Sequence, residues 1–282
     1  MTVVDPSAEL PAPLRAALLA ELEGEPNLPL LPATAARVLA ACENEHTGLE
    51  ELAELITHDP SLAAHMLRIA NSVGHAPRMP ILSLQQAISR VGLATVSQVA
   101  IAVALKERVF AVPGYQDRIG ELWLHSALAA CFAKEIAQLL RKDQDSAFLC
   151  GLLHDVGMPI VLQLVCDLVR EKRVPAVPCA VMEAAMRELH PIVGARMAET
   201  WKLGPWIRRV ILHHHEPAEA KYHPDEIPIV ALADALAYWA VAEGSEFHPD
   251  PGPVEALRLH EGGLQSLMSR RERVLETARA WT

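Results

Sequence analysis

The chain has 282 residues, 51% of them apolar and 21% charged, the balance of a globular protein with ample core rather than of a disordered one. Its formal charge of −10, with no strong basic stripe set against it, excludes nucleic acid as an expected partner, because phosphate-backbone binding needs local positive charge. Ala and Leu dominate, aromatics make up 4% and strand-type runs are scarce, so the expected fold is all-α.

In chain order, residues 7–23 read as an Ala/Leu helix closed by Gly24 and Pro26, an N-terminal extension spanning 1–25. Asn27-Leu-Pro-Leu-Leu-Pro32 is a rigid apolar lead-in loop. Thr34 can cap a helix to about Glu43, and Gly48 precedes another over Leu49–Thr57. Asp59-Pro60 sets an N-cap followed by proline at the first helical position. Ser83-Leu-Gln-Gln86 has capping-box spacing for a helix closed by Gly92, and residues 94–110 form an apolar helix central to this half.

Pro113-Gly114 marks the internal boundary between a first lobe, 26–112, and a second, 115–242. Beyond it a long helix covers about 116–141, and a helix carrying His154-Asp155 ends near Gly157. An apolar helix continues to about Lys172, and others follow at roughly 180–189, 190–201 and 205–215, with Pro191 and Pro205 read as first-turn prolines. After a loop over 216–226 comes the strongly apolar helix Ile227–Val241, then a tail, 243–282, with a final amphipathic helix at about 264–280. Arg270-Arg271-Glu272-Arg273 within it reads as a solvated helix face. The five cysteines lack any C-x-x-C spacing and look like small reduced residues. The start lacks a leader pattern, and the uncharged stretch from Val91 to Leu105 is shorter than the ~20 residues a bilayer needs. The expected setting is the cytoplasm, without a membrane partner.

Against this apolar background a few polar residues stand out. His154 and Asp155 interrupt a run that is otherwise apolar from Ala147 to Val165. Burying a carboxylate there costs several kcal/mol unless something pairs with it. Asp234 has Val230, Ala231, Ala237 and Tyr238 as its helical neighbours and no basic residue within reach. His125 shares a face with Leu122, Leu128 and Ala129, and His190 precedes Pro191. In His213-His214-His215 successive side chains turn by about 100°, so at most two can face one pocket. Thirteen histidines make some clustering expected by chance, and a second pair, His58-Asp59, reads as nothing more than a helix cap. The set as a whole has two readings: hydrogen-bonded structural groups, or N and O ligands for one or two divalent ions such as Fe, Mn or Zn. A dinuclear site would activate water and clamp a phosphate.

The order His125, His154-Asp155, Asp234 resembles the H…HD…D signature of the HD superfamily of metal-dependent phosphohydrolases. His190, His214 and His215 look like the further ligands of the HD-GYP branch, which degrades cyclic di-GMP. The wider chain is more similar to the HDOD branch, the HD-related output domain of bacterial signalling proteins. The segments that carry this resemblance are Leu28-Pro-Leu-Leu-Pro32, Asp59-Pro-Ser-Leu-Ala63, Leu67-Arg-Ile-Ala-Asn-Ser72, Ala87-Ile-Ser-Arg-Val-Gly92, Gly151-Leu-Leu-His-Asp-Val-Gly157 and Trp201-Lys-Leu-Gly-Pro205. They span about residues 26–242.

The resemblance implies a two-lobed helical bundle with an HD-like C-terminal lobe. It also implies a regulatory, non-enzymatic role through protein–protein contact, with signalling partners supplied in trans. Where HD-GYP proteins have Ile-Gly-Lys after the HD pair, this chain has Val156-Gly157-Met158, and Pro-Ala-Glu-Ala-Lys-Tyr stands in place of the glycine-rich loop. Ligand types are kept while the substrate-handling residues are not. The alternatives are a metal-dependent phosphohydrolase acting on a nucleotide or cyclic dinucleotide, and a metal-free sensor of a small ligand.

Overall fold

A computed structural model describes residues 8–24, 28–44, 46–72, 79–216, 226–242 and 244–282. Pro26, Asn27 and most of the loop expected at 216–226 lie outside them. Among the described residues there are fifteen α-helices and no strand, as the Ala/Leu-rich composition predicts.

The first lobe consists of α2 (Ala33–Glu43), α3 (Leu49–Thr57), α4 (Pro60–Ala70), α5 (Leu84–Val91) and α6 (Leu93–Arg108). Asp59 caps α4 by accepting from the Leu62 amide at 3.0 Å, so the His58-Asp59 pair is the helix start its sequence suggests. The expected Thr34 cap is not formed: α2 begins two residues earlier, with Pro32 at the N-cap. The Ser83 capping box does not close either, since Ser83 makes no side-chain bond to the helix amides. Gly92, at φ +83°, turns the chain by 111° between α5 and α6, a conformation glycine adopts without a Cβ penalty. α6 is buried on nearly every side and forms the lobe's spine.

The second lobe is built on α7 (Gln116–Leu140), against which α8 (Gln144–Leu153) and α12 (Glu226–Val241) pack, with α9 (Gly157–Arg170), α10 (Cys179–Thr200) and α11 (Pro205–His213) behind them. Asp143 starts α8 by accepting from the amides of Asp145 and Ser146. The stretch 144–170 is long and apolar enough to cross a membrane by composition alone, yet 78% of its most apolar window is buried inside the fold.

Two expectations change here. The helices expected at 180–189 and 190–201 are one 22-residue helix, α10, with Pro191 in its interior. The final helix expected at 264–280 is broken into α14 (Glu261–Met268) and α15 (Arg271–Arg279), preceded by the short α13 (Pro251–Ala256). The arginine cluster at its centre is not a free solvated face. Arg270 and Arg273 both pair with Glu135 of α7, and Arg271 reaches the end of α12. The N-terminal α1 (Ala12–Glu23) buries Leu14 and Leu18 and is tied to the second lobe by Arg15–Glu188 and Arg173–Glu21 ion pairs.

Candidate metal centre

The Gly151-Leu-Leu-His-Asp-Val-Gly157 stretch is a tight corner. α8 ends at Leu153, so His154 and Asp155 sit in the turn before α9 rather than on the helix body expected for them. The turn closes through Val156 N–H to Leu153 O (3.1 Å) and Met158 N–H to Asp155 O (2.9 Å), a one-turn tightening of the 3₁₀ kind. Its two glycines let helices touch. A Cβ on Gly151 would lie 2.7 Å from the Ala129 carbonyl of α7, and one on Gly157 would lie 2.0 Å from the His190 carbonyl of α10. The corner is thereby pressed against the helices that carry His125 and His190.

The corner brings all seven sequence-selected residues together in two sets that share Asp155. One set is His125, His154, Asp155 and Asp234; the other is Asp155, His190, His214 and His215; within each, the potential ligand atoms lie within 4.8 Å of one another. Asp155 faces both sets. Its Oδ2 is 3.5 Å from His154 Nε2 and 3.7 Å from His125 Nε2. Its Oδ1 is 3.2 Å from His190 Nε2 and 3.5 Å from His214 Nε2. Asp234, which has no basic neighbour on its own helix, meets His125 Nε2 at 2.9 Å and His154 Nε2 at 3.6 Å. His213, the third member of its triplet, joins neither set. The Tyr238 ring, one turn after Asp234, stacks on His125 with centroids 4.2 Å apart; its i+4 spacing from Asp234 was the signal for this contact.

The outer contacts fix how the rings present themselves. His154 Nδ1 lies 2.8 Å from Gly151 O, His190 Nδ1 lies 2.9 Å from Met186 O and 3.0 Å from Arg187 O, and His214 Nδ1 lies 2.8 Å from Ile211 O. A carbonyl only accepts, so each Nδ1 carries the proton and donates, and in a neutral ring Nε2 then turns a lone pair inward. Pro191 assists: lacking an N–H, it leaves the Arg187 carbonyl free for the His190 ring. His190 Nε2 stands 3.4 Å from His214 Nε2 and 3.1 Å from His215 Nε2, so three ring nitrogens converge near the Asp155 carboxylate. His125 Nε2, His154 Nε2, Asp155 Oδ1 and Asp234 Oδ1 are buried, and among the described residues their only polar neighbours are one another and the facing imidazoles. Carboxylates buried in this way are costly unless a cation, a proton on an imidazole or a metal ion, sits among them. Histidines oriented through Nδ1 by backbone carbonyls are the arrangement that metal-binding imidazoles adopt. The donor atoms of each set suit a divalent ion, which His125, His154, Asp155 and Asp234 on one side, or Asp155, His190, His214 and His215 on the other, would hold.

The electrostatics follow from this crowding. Burial opposes the His154 charge, but the Asp155 and Asp234 carboxylates outweigh it and raise its pKa to about 9. Burial, reinforced by neighbouring imidazoles, holds His190 and His215 at about 4, the Asp155 charge offsetting only part of this for His190. Burial alone would raise both carboxylates; the imidazoles facing them hold Asp155 and Asp234 below the usual range. Met158, directly after the corner, is buried in α9.

The profile of the HDOD domain matches residues 28–217. The chain belongs to the HDOD domain family. The HDOD match includes six of the seven ligand-type residues and stops short of Asp234, α12 and the C-terminal helices. The chain is similar in fold to an HDOD domain protein of unknown function from Geobacter sulfurreducens, with a TM-score of 0.70, 23% identity, and 95% and 97% of the two chains covered. A candidate metal-dependent phosphohydrolase from Shewanella amazonensis gives a TM-score of 0.74 at 19% identity, with 95% and 96% covered. A candidate signal transduction protein from Marinobacter aquaeolei gives 0.68 at 24%, with 95% of this chain and 65% of that one covered. An uncharacterized protein of Treponema pallidum is 26% identical over 222 residues, 74% of this chain. The match spans 42% of the length of that relative.

Proposed function

We propose that this HDOD protein is a regulatory module of bacterial signalling. It binds a partner protein in trans and holds divalent metal as a structural or sensory element rather than turning over a substrate. The observation that carries the metal half is the convergence of buried imidazole nitrogens and carboxylate oxygens in two clusters joined by Asp155. Buried Met158 supports the non-catalytic half, since the pocket lacks at that position the cation that would offset phosphate charge. Five unpaired cysteines suit a reducing, cytoplasmic setting. A pull-down from the native host with wild type and Asp155→Ala tests the regulatory reading: a partner retained by wild type and lost by the variant supports it. Equal retention by both separates partner binding from the metal.

The arrangement also favours one alternative, a phosphohydrolase acting on a nucleotide or cyclic dinucleotide. Paired ions sharing a carboxylate supply an activated water and a clamp for phosphate oxygens. Turnover of cyclic di-GMP or a generic phosphodiester with Fe or Mn present, abolished in Asp155→Ala, would replace the regulatory reading.

A further inference from the structure

We infer that the C-terminal helices α14 and α15, beyond the span matched by the family, position one half of the metal centre: the set His125, His154, Asp155 and Asp234. This rests on the metal reading above. The three elements that supply that set are α7 (His125), the end of α8 (His154 and Asp155) and α12 (Asp234), and the C-terminal segment grips each of them.

On α12 the contact is Arg271. Its Nε donates to the Ala240 carbonyl at 2.9 Å and its Nη2 to the Ala242 carbonyl at 3.0 Å. These are carbonyls at a helix end with no partner inside the helix, where a cation is also favoured by the helix dipole. The same guanidinium lies over the Trp239 ring, 5.0 Å from its centroid, five residues after Asp234. On α7, Arg270 and Arg273 converge on Glu135, and Trp123, two residues before His125, donates from Nε1 to the Trp281 carbonyl at 3.2 Å. On α8 the Trp281 ring packs against Phe148 with centroids 4.6 Å apart. Leu267, Val274, Ala278 and Trp281 are buried in the seam.

Apart from the shared Asp155, the other set hangs on different supports. His190 is on α10, and His214 and His215 follow α11; neither helix has a substantial contact with α14 or α15. The Arg271 fork therefore fixes where α12 stops and how it is turned, which places Asp234 against His125, while leaving His190, His214 and His215 untouched. Arg271 is a positioning residue acting on one ligand set of two.

The test is a calorimetric titration of Mn²⁺ into the full chain, comparing wild type with Arg271→Ala. Wild type shows two binding steps, and Asp234→Asn identifies the step that belongs to its set. In Arg271→Ala that same step weakens by about 10-fold to 100-fold, the range for loss of an outer support of a ligand, and the other step is unchanged. Arg271→Lys, which keeps a cation over Trp239 but not the two-pronged donor, lies between the two. If Arg271→Ala fails to fold, Arg271→Lys carries the test by the same criterion. Equal weakening of both steps, or of neither, overturns the inference and leaves the metal centre standing. A wild-type chain that takes up no Mn²⁺ removes the metal reading and this inference together.

Discussion

His154 and His190 occupy one pocket yet are pushed in opposite directions, and this gives the metal-free protein a two-sided pH response. The folded-state pKa of His154, about 9, lies above its ordinary 6.5, so its contribution to stability is full below pH 6.5 and is lost as pH rises through 9. For His190 and His215, held at about 4, the unfolded chain binds the extra protons between pH 4 and 6.5, so stability is lost as pH falls through that window. Thermal melts of chelated protein should be highest near neutrality and fall on both sides. Metal occupancy should remove the alkaline limb, because a liganding His154 is already deprotonated. By the same logic, loading metal at pH 7 should release about one proton from His154, read as a buffer-dependent binding enthalpy; an enthalpy independent of buffer would contradict this. The polar residues were legible in the sequence because each sits on an apolar face where it has no business without a partner. What the sequence left open was their grouping, since only the folded corner shows that Asp155 turns one oxygen to each set.

At the scale of elements, close helix contact decides the geometry. Gly157→Ala would place a methyl 2.0 Å from the His190 carbonyl and 2.8 Å from the Gly194 amide, backbone atoms that cannot yield, and should cost about 3 kcal/mol, the upper end for overpacking. Gly120, exposed within α7 with nothing near its Cβ position, provides the contrast: Gly120→Ala should stabilise by up to about 1 kcal/mol. Chemical denaturation of the two variants checks the pair, and equal effects would refute the argument. Pro191→Ala restores an amide to compete for the Arg187 carbonyl now accepting from His190. It should leave helix content intact or higher while lowering metal affinity about tenfold, measured by calorimetry. Helix existence and order were legible from Ala/Leu content and helical periodicity, and the Asp59 cap from its side chain and the proline after it. Thr34 did not cap because the helix starts earlier, after Pro32, and Ser83 stands at the N-cap of α5 without a side-chain bond to its amides. Pro191 read as a helix start because proline usually is one; here a ring nitrogen takes up the carbonyl it strands.

For the whole molecule, the lobes are joined at a place that matters to the site. Gln98 of α6 donates to both the carbonyl and the carboxylate of Asp145 at the start of α8, and the other end of α8 leads directly into His154 and Asp155. A partner that shifts α6 would act on a helix that ends at the metal centre. Such coupling has no sequence signature, for Gln98 reads as one of several polar residues on a largely apolar helix. The arginine cluster of α15 was misread for a related reason: its partners, Glu135 and the carbonyls of α12, are distant in the chain. The central claim, that the two clusters hold divalent ions, is tested most directly by metal analysis of protein purified without chelator, together with its melting temperature on adding Fe²⁺, Mn²⁺ or Zn²⁺. The account predicts two ions per chain, a raised Tm, and loss of both in Asp155→Ala; a metal-free chain whose Tm none of these ions moves would contradict it.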